Sequence, residues 1–515
     1  MKTVRALLAL LALSPVLQAR ADAFDPDRLD RDIQQVIAFS KTAENQGVGV
    51  AVVKGNQVLF MKTYGWAERS GPVAFDADTL FAIGSCTKAM TAFSLALAEQ
   101  NALLNLVAPV ASRLDTPINP SFAFAGTVNA IDLLSHRTGL PSYDTVAWKG
   151  NYDRDNYYAR IKSFDVGPAA TSKFRSSFHY NNDMYVVAGK LLEVATGRSW
   201  EQSIQSDVFD RLGMTAGFIS TELAALNNVA YPYLGATRMA EQKLLPYAAG
   251  GGVRASLRDM SKWLQFLASG GRNAAGEQIV PVATLERQFA NHNPGGSAAA
   301  PAYAGLGWDI QTNSGFRLIR HAGGLDGYRA DVSFIPELGI GVVVLVNDHG
   351  AVMNRNISAH VYGYLADNFY PTLKAPLAAF FGADQLPTLT ADAQVLYAAL
   401  LKQETDTSSL FRETSPPWCF STYRHAGVGD FRVCWSQERS VLLVNFGNNY
   451  WPLVLVKEEA GNRLYKASFL VAAQYTTLAL YFLIGTSSDY PVMISVLGGY
   501  RETGEVVVSV FNRVP

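Results

Sequence analysis

Apolar, β-branched runs occur near both ends of residues 1–375, and helical patterns fill the space between them. Val48–Val53 and Gln57–Thr63 flank Lys54-Gly55-Asn56 and read as a hairpin. Strands return only at Phe316–Arg320, Asp331–Ile335 and Ile340–Val346. Between them, Ile131–His136, Val186–Thr196 and Leu257–Ala268 carry helical periodicity, the last stopped by Ser269-Gly270-Gly271. Residues 353–369 read as a final helix. Strands at the two ends can bury their faces together only in one shared antiparallel sheet. The expected fold is therefore α+β: an antiparallel sheet flanked by helices, with an inserted helical lobe and a site in the seam.

At 515 residues the chain exceeds what one ordinary core holds, and two domains are expected. The texture changes after about residue 375. Residues 417–515 are rich in Val, Tyr, Phe and Gly, with β-type runs such as Ser440–Phe446 and Glu505–Phe511 and turn signals at Gly447-Asn448-Asn449 and Gly498-Gly499. That pattern predicts a C-terminal all-β sandwich or barrel over 385–515. Ala467–Ser488 lacks charge, but its Gln, Thr and Tyr content favours two strands over a membrane span.

The first residues read as a secretory signal: Lys2 and Arg5, an apolar core from Ala6 to Leu17, then Ala19-Arg20-Ala21. Cleavage after Ala21 or Ala23 is expected, with residues 1–21 as signal peptide, an extracellular or periplasmic location and no remaining span. An oxidising compartment would allow Cys419 and Cys434 to pair. Asn356-Ile357-Ser358 is a glycosylation sequon if its loop is exposed. A formal net charge of -1 and the lack of a basic arm argue against nucleic acid. The seven histidines and three cysteines show no metal-ligand spacing, so neither metal nor cofactor is expected.

Ser85-Cys86-Thr87-Lys88 opens an apolar stretch running to Ala98. On a helix the Ser85 hydroxyl and Lys88 amine share a face. A serine hydroxyl needs a base, and an amine on a buried helix loses charge readily enough to be one. Cys86 points about 100° away from Ser85 and reads as a packing residue. Tyr180-Asn181-Asn182 offers a phenol that can relay a proton and, at Asn182, an amide with both donor and acceptor. His321-Ala322-Gly323-Gly324 directly follows the strand at 316–320; its glycines allow close approach of a substrate carbonyl, and His321 can hold a carboxylate or tune the relay.

In this order and spacing the three elements resemble the serine β-lactamase and penicillin-binding-protein superfamily, in particular its class C β-lactamase-like branch with esterases and D-amino-acid-specific peptidases. Leu80–Gly84, Asp132–Pro141 and Ala248–Val253 are similar as well, over about residues 30–370. The resemblance implies Ser85 as acylated nucleophile, Lys88 as proton acceptor, Tyr180 as relay and activator of water, and an oxyanion hole from the Ser85 and Gly324 N–H groups. Asn182, His321, Gly323 and Gly324 would bind substrate. It implies a hydrolase domain over 24–375 acting on an ester, small amide, D-amino-acid peptide or β-lactam, and a loosely lipocalin-like domain after it. The alternative is an extracellular binding or matrix protein that keeps the fold. The expected partner is a small-molecule or peptide substrate, and the sequence does not set the oligomeric state. Histidine at 321, where the superfamily has lysine, counts against a β-lactamase proper.

Overall fold

Strands β1 (Val48–Lys54) and β2 (Gln57–Tyr64) form the predicted hairpin, turning at Gly55 with φ of 53°. Five further strands after the lobe had partly been expected and partly not: β3 (Asn293–Ser297), β4 (Ala300–Ala304), β5 (Asp309–Asn313), β6 (Phe316–Leu325) and β7 (Tyr328–Ile335). With β8 (Ile340–Val346) they complete one eight-stranded antiparallel sheet in the order β3-β4-β5-β6-β7-β8-β1-β2. The closure is the β8–β1 ladder, which sets Val346 opposite Val48 and Ile340 opposite Lys54. This computed structural model describes residues 24–381, except 40–45, 72, 117, 145–151, 168–169, 242–245, 298–299 and 350–352, and then the backbone of strands between 418 and 513. The signal-peptide expectation lies outside the described residues.

Both faces of the central strands are covered, so β1 from Val48 to Val53 and all of β8 are apolar and not alternating. Val48, Val50, Val52, Val342, Val344 and Val346 pack on one side with Leu29 and Ile33 of helix α1 (Pro26–Phe39). Ala51, Val53, Val343 and Leu345 face the other side, where the lobe lies. The lobe is built from α2 (Thr87–Gln100), α3 (Ala130–Leu134), α4 (Asp183–Thr196), the short α5 (Ala248–Gly251) and α6 (Leu257–Ala268). Helix α6 has the predicted bounds, begun by a capping box between Ser256 and Asp259. Helices α7 (Met353–Asn368) and α8 (Lys374–Phe381) finish the first side; α8 runs past the expected boundary at 375, and its Leu377, Phe380 and Phe381 are buried there.

Two expectations are corrected. His321–Gly324 does not follow a strand that ends at Arg320; β6 continues through all four residues to Leu325, pairing with β7. The sequon is not in a loop: Ile357 and Ser358 are fully buried within α7, and the Ser358 hydroxyl donates to Asp331 at 2.6 Å. Between 418 and 513 the backbone forms two five-stranded antiparallel sheets, and the register sets Cys419 opposite Cys434. No helix among the described residues is long and apolar enough to cross a membrane.

The lobe's loops converge on Asp132, which is fully buried. Its carboxylate accepts from the Asn129 N–H at the start of α3, from Arg137 Nε at 2.7 Å and from Arg175 Nη2 at 2.7 Å. Removing it deprives a capping position and two arginines of their shared carboxylate, leaving Arg137 the His292 carbonyl and Arg175 the Thr127 carbonyl. Asp132→Ala is expected to lower unfolding free energy by about 3–5 kcal/mol, the range for breaking a buried ion pair, in urea titrations of the purified protein. A loss below 1 kcal/mol would show that the arginines find other partners.

Candidate active site

Ser85 sits in a 3₁₀ turn, Gly84–Cys86, that feeds directly into α2. The predicted single helix is thus a tight turn followed by an α-helix, and the tightening carries the hydroxyl towards the lysine one turn on. Lys88 Nζ lies 3.1 Å from Ser85 Oγ and 2.8 Å from the Gly250 carbonyl of α5. The amine is fully buried, with the rings of Tyr180 and Tyr185 at 5.0 and 5.1 Å from Nζ. Burial lowers its pKa to about 7, against a smaller opposing pull from Asp144. Every residue of α2 from Thr87 to Ala98 is buried, as its predominantly apolar sequence implies. Thr91 donates to the Ala249 carbonyl at 2.7 Å and accepts from Trp200 Nε1 at 2.9 Å.

Tyr180 reaches Ser85 from the other side, its phenol donating to Oγ at 2.8 Å. Desolvation raises the phenol well above its ordinary value, so the resting site holds the proton on Tyr180. Asn182 begins α4 and donates from Nδ2 to Asp144 Oδ2 at 2.8 Å. Asp144 and the neighbouring Asp183 are joined through the Tyr247 hydroxyl, which lies 3.2 Å from one and 2.7 Å from the other. Burial raises both carboxyls, and the Asp144 charge adds to the rise at Asp183. Asn181, which the motif leaves variable, is fully buried and donates from Nδ2 to the carbonyls of Leu140 and Pro141 at 3.1 and 3.0 Å.

Strand β6 closes the third side. Gly84 has φ of 52°, and a Cβ there would lie 2.9 Å from the Gly324 nitrogen; a Cβ on Gly323 would overlap the Ile83 carbonyl. Glycine at 323 is therefore required for the strand to pass beside the turn, which brings the Gly324 backbone alongside Ser85. His321 is buried, and its Nδ1 lies 2.7 Å from the Ala322 carbonyl. A carbonyl can only accept, so Nδ1 carries the proton and Nε2 is left as an acceptor. Burial lowers the His321 pKa, assisted by Lys88 and opposed by Asp309. The neutral ring lacks the charge with which the sequence reading had it hold a carboxylate. The adjacent Arg320 does not supply one, since it pairs with Asp331 at 2.6 Å.

All seven predicted site residues come together: Ser85, Lys88, Tyr180, Asn182, His321, Gly323 and Gly324. Sequence reasoning missed Gly250, Tyr185, Asp144 and Asp183. Gly250 had been noted only as part of Ala248–Val253, and nothing local marks its carbonyl as the lysine's acceptor. Cys86 is inert packing, its buried thiol donating to the His321 carbonyl at 3.3 Å with its pKa pushed up by burial. Among the described residues no group of histidine, cysteine or carboxylate side chains is arranged to hold a metal. Chemically, a hydroxyl between an amine whose pKa lies near neutrality and a protonated phenol, with the Gly324 backbone close to the turn, suits nucleophilic attack on a carbonyl.

Known proteins are similar to this chain. The unguisins hydrolase ungD' of Aspergillus campestris (strain IBT 28561) is 25% identical over 513 residues, covering 92% of this chain and 90% of that protein. The D-aminopeptidase of Gluconobacter oxydans (strain 621H) is 25% identical over 370 residues, which is 70% of this chain and 64% of that enzyme, under two thirds of its length. In fold, the octameric penicillin-binding protein homologue from Pyrococcus abyssi aligns with a TM-score of 0.57 at 22% identity, over 96% of this chain and 100% of its own. The family described as Beta-lactamase matches residues 29–362, the span that holds both the eight-stranded sheet and the whole site. The chain belongs to the β-lactamase family.

Proposed function

We propose that this chain is an exported serine hydrolase that forms an acyl-enzyme at Ser85 on an ester or amide, with D-amino-acid peptides the favoured amides. The observation that carries the reading is Ser85 Oγ set 3.1 Å from a lysine amine whose pKa is brought to about 7 and 2.8 Å from a protonated tyrosine. Neutral Lys88 takes the Oγ proton as Oγ bonds to the substrate carbonyl carbon. The Ser85 and Gly324 N–H groups face the resulting oxyanion. As the intermediate collapses, the bond to the leaving group breaks and Tyr180 donates its proton to that group, regaining one from the Lys88 ammonium. The tyrosine and lysine then deprotonate the water that releases the acyl group.

Neutral His321 bears on the substrate. With Nε2 an acceptor and Arg320 tied to Asp331, a carboxylate beside the scissile bond finds no free cation on this strand. Substrates with a neutral or donor group there are favoured over penicillin-like ones. The names of the two curated relatives, a hydrolase of unguisins and a D-aminopeptidase, support amides over simple esters. We assign the hydrolase domain to residues 24–381, the extension beyond 375 following α8, and the later strands to substrate access or assembly. Export follows from the signal-like first 21 residues.

Ser85→Ala should abolish labelling by a fluorophosphonate probe while leaving the melting temperature within a few degrees of wild type. Wild-type protein that is folded yet never labels at Ser85 would favour the binding-protein reading. The rate of turnover, kcat/KM, should rise with pH along an acid limb with apparent pKa near 7, falling roughly tenfold at one unit below it, because protonated Lys88 cannot accept the Oγ proton. A flat profile between pH 5.5 and 8 would remove Lys88 as the base. Tyr180→Phe should slow deacylation more than acylation, so that mass spectrometry finds an accumulating Ser85 adduct; unimpaired turnover without one would take Tyr180 out of the mechanism. A chain ended after Phe381 should still label at Ser85, and a soluble, folded truncation that does not would extend the site into the C-terminal strands.

A further inference from the structure

Nothing so far explains what holds Tyr180 on Ser85. Tyr180 lies in an irregular stretch before α4, where no helix or sheet ladder fixes its backbone. One residue meets this stretch at three points. The His136 carbonyl accepts from the His179 N–H at 2.8 Å, its Nδ1 accepts from the Asn181 N–H at 3.1 Å, and its ring lies against the Tyr180 ring with centroids 4.3 Å apart and planes 31° from parallel. The residues on either side of the tyrosine and the tyrosine itself are all gripped by the same side chain and its own peptide. We infer that His136 is a positioning residue for Tyr180, clamping it in the orientation that delivers its phenol to Ser85. The inference rests on the proposed role of Tyr180.

Several features fit a clamp better than ordinary core packing. His136 is only 4% exposed and adopts a left-handed backbone with φ of 57°, one of five non-glycine residues to do so among those described. That conformation is unfavourable for a residue with a Cβ and persists where surrounding contacts impose it. Here it turns the carbonyl and the imidazole of one residue toward the same facing segment. The carbonyl is secured again from the sheet, where Asn293 of β3 donates from Nδ2 at 3.3 Å. Phe178 and Tyr185 enclose the ring at 5.5 and 5.4 Å. Accepting at Nδ1 fixes the tautomer with the proton on Nε2, which has no protein partner among the described residues. A protonated ring would turn Nδ1 into a donor facing the Asn181 N–H, so the clamp needs the neutral form. Burial keeps it neutral, and the nearby Lys88 and His321 act in the same direction.

The test separates ring from acceptor and action through Tyr180 from mere stability. His136→Phe keeps an aromatic ring and loses the acceptor; His136→Asn keeps an acceptor near the Nδ1 position and tolerates the left-handed backbone, but loses the ring. The rate of fluorophosphonate labelling of Ser85 in the full chain is measured for each, alone and combined with Tyr180→Phe, beside thermal unfolding. The expected result is a loss of about tenfold or more for His136→Phe, a smaller loss for His136→Asn, and less than about twofold further loss from either once Tyr180 is phenylalanine, the non-additivity of residues acting as one unit. Equal losses in both backgrounds, unchanged labelling in a folded variant, or failure of both variants to fold while Tyr180→Phe folds would overturn the assignment. If Tyr180→Phe alone labels and turns over at the wild-type rate, the proposed mechanism fails before the clamp is tested.

Discussion

The burial of a single ammonium group shapes this molecule. Lys88 is fully buried, and its amine meets the Gly250 carbonyl, the Ser85 hydroxyl and two tyrosine rings, with no carboxylate paired to it among the described residues. Desolvation on that scale disfavours charge and turns an ordinary cation into a base near neutrality. It can be sustained only if α2 is enclosed on every side. The lobe and the sheet together provide that enclosure, and some of the polar groups buried with it are satisfied inside, as Thr91 and Trp200 illustrate.

The second constraint is backbone proximity. Strand β6 passes the turn at Gly84 so closely that side chains at 84 or 323 would collide with the opposing main chain. The sheet thereby reaches into the lobe's site as naked peptide, and peptide N–H groups are fixed in direction in a way that side chains are not. Ser85, Lys88 and Tyr180 come from the lobe, and the Gly324 backbone lies where lobe and sheet meet. Movement of either unit relative to the other would disturb both at once.

Much of this was legible in the amino-acid order. The hairpin at Gly55, the bounds of α6 and β8, and the pairing of Ser85 with Lys88 all follow from local periodicity and turn chemistry. The strands β3 to β5 did not, because Asn293-Pro-Gly-Gly-Ser297 and Ala300-Pro-Ala-Tyr-Ala304 read as loop and become strands only through their neighbours. The continuation of β6 through His321–Gly324 was hidden for the same reason: two glycines lower strand propensity where close approach demands them. The state of His321 was beyond reach, since charge there depends on burial and on the Ala322 carbonyl, neither of which has a signature in sequence. The carboxyls of Asp144 and Asp183 likewise acquire meaning only once residues thirty-nine positions apart share the Tyr247 hydroxyl.

The ladder between β1 and β8 has a consequence for how the molecule comes into being. It joins Val48 to Val346, strands made nearly three hundred residues apart. Contacts of such sequence separation close late, since a long loop must first be ordered. Until the last residues of β8 exist, β1 offers one bare edge, apolar from Val48 to Val53, as a template for any other strand nearby. The lobe can gather around α2 earlier, but the sheet half of the site waits for β6 and the β7–β8 pair to dock. Reactivity at Ser85 should therefore be among the last properties the folding chain acquires, and a nascent or truncated chain ending before residue 346 would be both inert and prone to aggregate.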